Sequence, residues 1–401
     1  MMQDGHEAET AFEFSGRWRE FAPIALTNLL LTIVTLGFYR FWAVTRERRY
    51  LWSRTRFIDD RLEWTGTGKE LLIGFLLVLV AIFLPLFLVQ FVLQALVLRG
   101  HVAIAGLTSF CLYALVFYLV GVARFRALRY RLSRSWWHGI RGGSNDQGFA
   151  YGWSYVWKSV LGYVTAGLMI PWSMSSLWNQ RWNAMSFGTH PITSEARWGN
   201  VFLRFILCYA VPFVAMFVLI IAMIPIMMAS GPPRSFGVVM TMGVLFVLAF
   251  YLILPLCALA FYAAFMREAV GGVRYAGLDF AFTARTKHWL LLFLGNVGLW
   301  LLALAVALVP LAALGLLSRF GDLRSGASPF ADNPSSLVVF FIVFAIPFAL
   351  VGPFIRYRTW SFGVRWLEAH GEIDLDVLDQ STTREPTQGE GLLDAFDIGA
   401  I

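Results

Sequence analysis

Long apolar runs without ionisable side chains alternate along this 401-residue chain with short stretches dense in Arg, Trp and Tyr. Eight apolar segments stand out, at about 24–39, 71–98, 102–123, 159–172, 205–229, 236–266, 289–317 and 335–355. A helix crosses a bilayer with about 20 apolar residues, and charge is held back at the water interface. Six segments meet that length. Two do not: Arg40 closes the first, and Lys158 and Pro171 bracket the fourth. Segments this short more often re-enter or lie along the interface than span.

Charge separates the alternatives, because Lys and Arg collect in cytoplasmic loops. With eight crossings the basic residues divide almost evenly between the two sides. With 24–39 and 159–172 entering and returning on one side, only Arg99, Arg234, Arg319 and Arg324 of the 32 basic residues fall outside. The pattern predicts an all-α integral membrane protein with about six transmembrane helices, both termini cytoplasmic, and two re-entrant or interfacial helical hairpins. Thr35-Leu36-Gly37 and Ile170-Pro171-Trp172, each followed by a Trp- and Arg-bearing stretch, are the expected hairpin turns.

A diverged internal repeat runs through the chain, the mark of one supersecondary unit used several times. Its first copy opens with Phe12-Glu13-Phe14-Ser15-Gly16, carries Arg49-Tyr50 and closes with Arg61-Leu62-Glu63-Trp64-Thr65-Gly66 before a long crossing. The second opens with Phe149-Ala150-Tyr151-Gly152, reaches Arg181-Trp182 and closes with Ser194-Glu195-Ala196-Arg197-Trp198-Gly199. A looser third opens with Phe280-Ala281-Phe282-Thr283 and closes with Arg356-Tyr357, Thr359 and Trp366, while Arg129-Tyr130 and Arg274-Tyr275 follow other crossings. The F-x-F/Y and post-RY segments alternate apolar and polar residues as strands do, which predicts a small cytoplasmic β layer. The expected organisation is an N-terminal tail, first hairpin and strand element (1–70), a transmembrane pair (71–123) and the second hairpin repeat (124–200). A transmembrane pair (201–266), a third repeat with its own pair (267–370) and an acidic cytoplasmic tail (371–401) follow.

Several of these motifs, in this order, resemble the YjgN-type bacterial inner-membrane proteins, a family of unknown function. The likeness is carried by Phe12 to Gly16, by Leu30-Leu31-Thr32-Ile33-Val34-Thr35-Leu36-Gly37-Phe38-Tyr39, and by Trp42, Arg49-Tyr50 and Glu63-Trp64-Thr65-Gly66. Gly389-Glu390-Gly391-Leu392-Leu393-Asp394-Ala395-Phe396-Asp397 extends it to the far end. The resemblance implies a bacterial inner-membrane location and brings no catalytic residue, substrate or cofactor.

Composition narrows the function classes. The net charge of +7 comes from basic residues beside hydrophobic spans, so nucleic acid is not an expected partner. Lipid bilayer, with its anionic headgroups, is. Only Lys69, Lys158 and Lys287 are lysines; the rest of the basic set is arginine. Cys111, Cys208 and Cys257 lie in apolar runs far apart, read as buried small hydrophobes rather than a disulfide or zinc framework. Residues 1–22 lack the charged and apolar regions of a cleavable signal, so the first hydrophobic segment is expected to direct insertion.

The chain carries no Walker-type, HExxH or GxSxG signature, and its six histidines do not pair at ligand spacing. No cofactor, metal or catalytic residue is expected, and enzyme chemistry ranks last. Gly66-Thr67-Gly68-Lys69 reads as the end of a strand and start of a helix, and Trp136-Trp137-His138 as an interfacial aromatic cluster. Asn28, Gln90, Gln94 and Asn296 are the polar candidates for a substrate path, since membrane helices otherwise use such residues to bond each other. Arg46, Arg49, Trp52, Trp178, Arg181 and Trp182 are the candidates for lipid headgroup contact. The tail after Glu368 is acidic and read as solvated, with a short docking helix over Gly391–Phe396. A small-molecule transporter or channel is the leading expectation, by analogy with repeat-built transporters. Its alternative is a lipid-binding or membrane-organising protein working through basic aromatic hairpins.

Overall fold

The computed structural model describes residues 11–230, 236–313, 334–374 and 378–386. The chain begins with β1 (Phe12–Phe14), α1 (Trp18–Val34), α2 (Arg40–Ser53), β2 (Thr55–Phe57), β3 (Asp60–Arg61) and β4 (Glu63–Trp64). Helices α3 (Gly68–Leu98) and α4 (Val102–Arg134) lead to β5 (Ser135–Trp137) and β6 (Ile140–Gly143). Then come α5 (Phe149–Val164), α6 (Ile170–Trp182), β7 (Ser186–Phe187) and β8 (His190–Ser194). The rest is α7 (Trp198–Ser230), α8 (Phe236–Gly271), β9 (Val273–Tyr275), β10 (Leu278–Phe282), α9 (Thr286–Ala313), α10 (Pro334–Arg365) and β11 (Leu367–His370). Helix pairs and β-hairpins thus alternate, and each pair leaves the strand layer and returns to it.

Strands β4 to β11 form one eight-stranded antiparallel sheet in the order β11-β10-β9-β8-β7-β6-β5-β4, and β1, β2 and β3 form a second. Only Leu62 separates β3 from β4, and β1 lies against β11, so the strands follow one another around a ring. The expectation of an all-α protein with a small β layer is therefore corrected: the strand layer is extensive and takes a hairpin after each of the first four helix pairs and the single strand β11 after α9–α10. Strands of two to five residues carry too little periodicity to be counted from sequence, which is why their number stayed hidden.

The centre of the ring is packed. Phe12 stacks on Phe57 at 4.4 Å, Phe57 meets Trp137 at 4.7 Å, and Phe280 closes on both phenylalanines. The Trp137 indole donates to Phe57 O at 3.0 Å and is 1% exposed, which corrects its reading as part of an interfacial cluster. Ile373 and Leu378 cover this cluster. The segment beyond holds on through Arg141, whose guanidinium donates to Thr383 O at 2.7 Å, and through Gln380, which donates to Gly139 O at 2.7 Å. Residues 378–386 are thus folded onto the strand ring rather than solvated. Gly391–Phe396 lies outside the described residues.

Among the described residues five helices are long and apolar enough to cross a membrane: Gly68–Leu98, Val102–Arg134, Trp198–Ala222, Phe250–Gly271 and Thr286–Pro310. At most 28% of any of their apolar windows is buried within the protein, so their side chains largely face outward. Cys111 is accordingly exposed and Cys208 and Cys257 half-buried, all three free, rather than core residues. Pro85, which has no N–H to donate, sits just after a single π-helical turn at Leu79–Phe83.

The segments at 24–39 and 159–172 fall in two helical hairpins, α1–α2 and α5–α6. At 17, 14, 16 and 13 residues their helices reach about 20–26 Å at 1.5 Å per residue, short of a hydrocarbon core of about 30 Å. The two hairpins share one turn, and it is not where the sequence placed the second. Thr35 and Thr165 accept from Tyr39 N (2.9 Å) and Met169 N (3.1 Å), and each hydroxyl donates to the carbonyl four residues back. Leu36 and Ala166 have φ of 51° and 52°, and Gly37 and Gly167 have 94° and 90°, where a side chain is strained. The turn is therefore Thr165-Ala166-Gly167, not Ile170-Pro171-Trp172.

A constant shift of 130 residues then superposes the units, taking Thr35 to Thr165, Trp52 to Trp182 and Phe57 to Phe187. Matching Arg49-Tyr50 with Arg181-Trp182 is consequently two residues out of register. Phe149-Ala150-Tyr151-Gly152 begins a helix rather than a strand, while Arg274-Tyr275 does follow a long apolar helix, in β9 just after Gly271. As expected, Gly66-Thr67-Gly68-Lys69 joins strand to helix, with the Thr67 hydroxyl capping Glu70 N at 3.4 Å.

Candidate functional site

Charge concentrates where the helices meet the strand ring. In the first hairpin, Glu47 of α2 is buried. Its Oε2 accepts from Arg356 Nε (3.0 Å) and Nη2 (2.5 Å) of α10, and its Oε1 accepts from Asn28 Nδ2 of α1 at 3.4 Å. A carboxylate removed from water is tolerable only with such charged partners. Beside it Trp52 stacks on Trp360 at 4.0 Å and donates to Ser135 Oγ at 2.8 Å. The α1–α2 hairpin is thereby pinned to α10, the last of the described helices.

The second hairpin holds its charge differently. Lys158, the counterpart of Asn28, is buried and donates to Gln180 Oε1 at 3.0 Å. Arg181 takes the place that the buried Leu51 has in the first unit, and lies over the Trp178 ring at 5.6 Å. Its Nε is enclosed without a hydrogen-bond partner. Desolvation pulls the Arg181 guanidinium below its ordinary pKa; Tyr151 opposes this, and Arg124 and Arg131 add to it.

A third site is a cleft of about 290 Å³ between the sheet-side ends of α9 and α10. Arg358, Arg365 and His288 supply its basic wall, and Leu291, Leu292 and Phe362 an apolar one. His288 is stacked on Trp366 at 3.9 Å, which fixes the imidazole at the rim. Among the described residues Arg358 and Arg365 have no carboxylate partner. A cation above an apolar wall matches the amphipathic chemistry of a lipid at headgroup depth.

The predicted substrate-path residues do not converge. Asn28 belongs to the Glu47 network, Gln90 and Gln94 are exposed on α3, and Asn296 is half-buried on α9. Of the predicted headgroup residues, Arg46 and Arg49 are exposed, as that role needs, and Trp178, Arg181 and Trp182 are half-buried. Trp52 is 7% exposed inside the aromatic core and is corrected out of the set. Sequence reading missed Glu47, Arg356, Arg358 and Arg365; the spacing of RERRY in α2 and RYR in α10 held the only signal.

Among the described residues, no His, Cys, Asp and Glu cluster could hold a metal ion. His138 Nε2 and Asp59 Oδ1 are 2.8 Å apart, with Asp60 at 4.0 Å, but the group is exposed on two hairpin turns. That hydrogen bond holds Asp59 below the usual carboxylate range. Deeper in the ring, burial pushes the Tyr275 phenol up to about 12 while its hydroxyl donates to Phe187 O at 3.1 Å.

Comparison with known proteins returns one family, described as "Bacterial protein of unknown function (DUF898)", which matches residues 9–395. The chain is 29% identical over 130 residues to the inner membrane protein YjgN of Salmonella typhimurium strain LT2, covering 32% of this chain and 30% of that protein. It is 33% identical over 64 residues to the inner membrane protein YjgN of Escherichia coli strain K12, covering 16% of each. The aligned parts thus span less than a third of either relative. No solved structure matches. The match bears out the resemblance read from the motifs.

Proposed function

We propose that this chain, which belongs to the bacterial DUF898 family, is a non-catalytic inner-membrane protein that engages anionic phospholipid through a basic, aromatic belt at its strand-side face. The observation that carries this reading is the α9–α10 cleft, where Arg358 and Arg365 stand over Leu291, Leu292 and Phe362. Small-molecule transport, the leading expectation from sequence, draws less support: Gln90 and Gln94 face outward and the ring below the helices is filled by Phe57 and Trp137. The relatives are named inner membrane proteins, which fits a lipid partner.

In this reading six helices cross, α10 being the sixth, and the strand ring with both termini lies in the cytoplasm beside the basic residues. The α1–α2 and α5–α6 hairpins dip into the same leaflet and return. Cysteines introduced near Gly231 and Ser325, both outside the described residues, should label from the periplasm, and those at Asp60, Asn145 and Thr189 should not. Labelling at Thr189 would end the six-crossing arrangement. For function, native mass spectrometry of the full chain should find retained anionic phospholipid, reduced in an R358Q/R365Q variant. A retained soluble metabolite without lipid would favour transport.

A further inference from the structure

Arg181 is the most exceptional charge in the molecule. It forms no hydrogen bond and no ion pair with any described residue, and its Nε is sealed from water. The residue as a whole is half-buried, and enclosing that nitrogen is unfavourable unless an anion faces the guanidinium. Among the described residues no carboxylate acts on it; the groups that do are Tyr151, Arg124, Arg131 and Tyr262.

The surroundings are built to receive an anion. Arg124 of α4 is exposed, rests over the Tyr155 ring at 5.6 Å, and makes no ion pair with a described residue. The hydroxyls of Tyr151 and Tyr262 are likewise not used by other described groups. Close helix packing fixes the frame: a Cβ on Gly121 would lie 2.7 Å from Tyr155 Cβ, and one on Gly152 would lie 2.5 Å from Val122 Cγ2. The Trp178 ring beneath the guanidinium is braced in turn by Phe265. Arg124 falls 22 residues along α4 from Val102, about 33 Å from its outer end and close to the far edge of a hydrocarbon core of about 30 Å.

We propose that Arg181 and Arg124, with the Tyr151 and Tyr262 hydroxyls, form a second and deeper site that binds the phosphate of an anionic phospholipid in the strand-side leaflet. It deepens the lipid reading above and rests on it, but uses none of the residues that line the α9–α10 cleft. Arginine presents a fork that takes two phosphate oxygens at once, and a planar guanidinium over an indole keeps that fork oriented.

The test uses the full chain in nanodiscs of phosphatidylcholine, titrated with dioleoyl phosphatidylglycerol, and separately with inorganic phosphate in phosphatidylcholine alone. R181L should weaken phosphatidylglycerol binding about tenfold or more, the scale of losing a charge-assisted pair. Leucine already occupies the equivalent position 51, so R181L is expected to fold; the exposed R124Q gives the same readout if it does not. R358Q/R365Q separates the two sites. Loss in R181L or R124Q beyond that of R358Q/R365Q supports the deeper site. Unchanged binding in both R181L and R124Q overturns it while leaving the cleft standing. Absence of any phosphatidylglycerol preference in the unaltered chain overturns both. Arg181-dependent binding of inorganic phosphate alone, without lipid, overturns the lipid source.

Discussion

The two short hairpins share a backbone and differ in what they do with charge. Over the 130-residue shift their turns coincide to within a few degrees at Leu36 and Ala166 and at Gly37 and Gly167. Yet the first unit places Glu47 where the second has Leu177, and Leu51 where the second has Arg181. In the first, the carboxylate is neutralised within the protein by Arg356. In the second, Arg181 meets no acid among the described residues. One hairpin closes its charge in an internal ion pair; the other leaves the Arg181 Nε without a hydrogen-bond partner among the described residues. A repeated scaffold thus carries two different polar interiors.

The comparison can be broken most sharply at Glu47. E47A takes the buried carboxylate away from the half-buried Arg356 and should destabilise the protein by about 1.5–3 kcal/mol, whereas an E47L/R356L double replacement should restore most of that loss. Thermal unfolding of the full chain in detergent reads both. Equal losses in the single and double variants would show that the pair is not a clamp.

R181L should act in the opposite direction when no anion is supplied, raising stability by about 1 kcal/mol or more as an uncompensated charge is removed. A loss of that size would mean that the guanidinium is already neutralised, and the contrast between the hairpins would fall. Next in size, G37A and G167A should each cost about 1–2 kcal/mol, by equal amounts, because each forces a side chain into left-handed backbone. Unequal costs would show that the shared turn carries different strain in the two units.

The smallest effect is expected at Asp59, outside both hairpins. Its pKa is lowered in the folded state by the His138 hydrogen bond. The associated stability is present above the unfolded carboxylate value of about 3.9 and disappears as pH falls through the lower folded value. For so exposed a pair D59N should cost no more than about 1 kcal/mol at neutral pH and nothing once the pH is below the lowered folded value. A larger loss would give the turn a role that its exposure does not suggest.

The helical part of this architecture was legible because bilayer physics writes it in long, unambiguous runs. The segments at 71–98, 102–123, 205–229 and 289–317 coincide with long apolar helices, and the two short ones with hairpins. The strand ring was nearly invisible, since β7 has two residues and β6 reads Ile-Arg-Gly-Gly with no alternation. The repeat was found but misregistered, because Arg181-Trp182 looks like Arg49-Tyr50 while the conserved geometry belongs to Thr35 and Thr165. The site was the least legible part. Glu47 and Arg356 are 309 positions apart, and no local pattern distinguishes a buried guanidinium from those that line the interface.

That separation has a consequence for biosynthesis. The first unit leaves the ribosome with Glu47 already destined for a dry position, but its counter-ion follows only after four further helix pairs have been made. Tyr357 also closes on Gly16 O, and Trp360 on Thr55. The first hairpin must therefore wait, incompletely folded, for the last helix to arrive. At about 5–20 residues per second, the wait is roughly 15–60 s of translation. A chain truncated before Arg356 is therefore expected to leave its opening unit undocked.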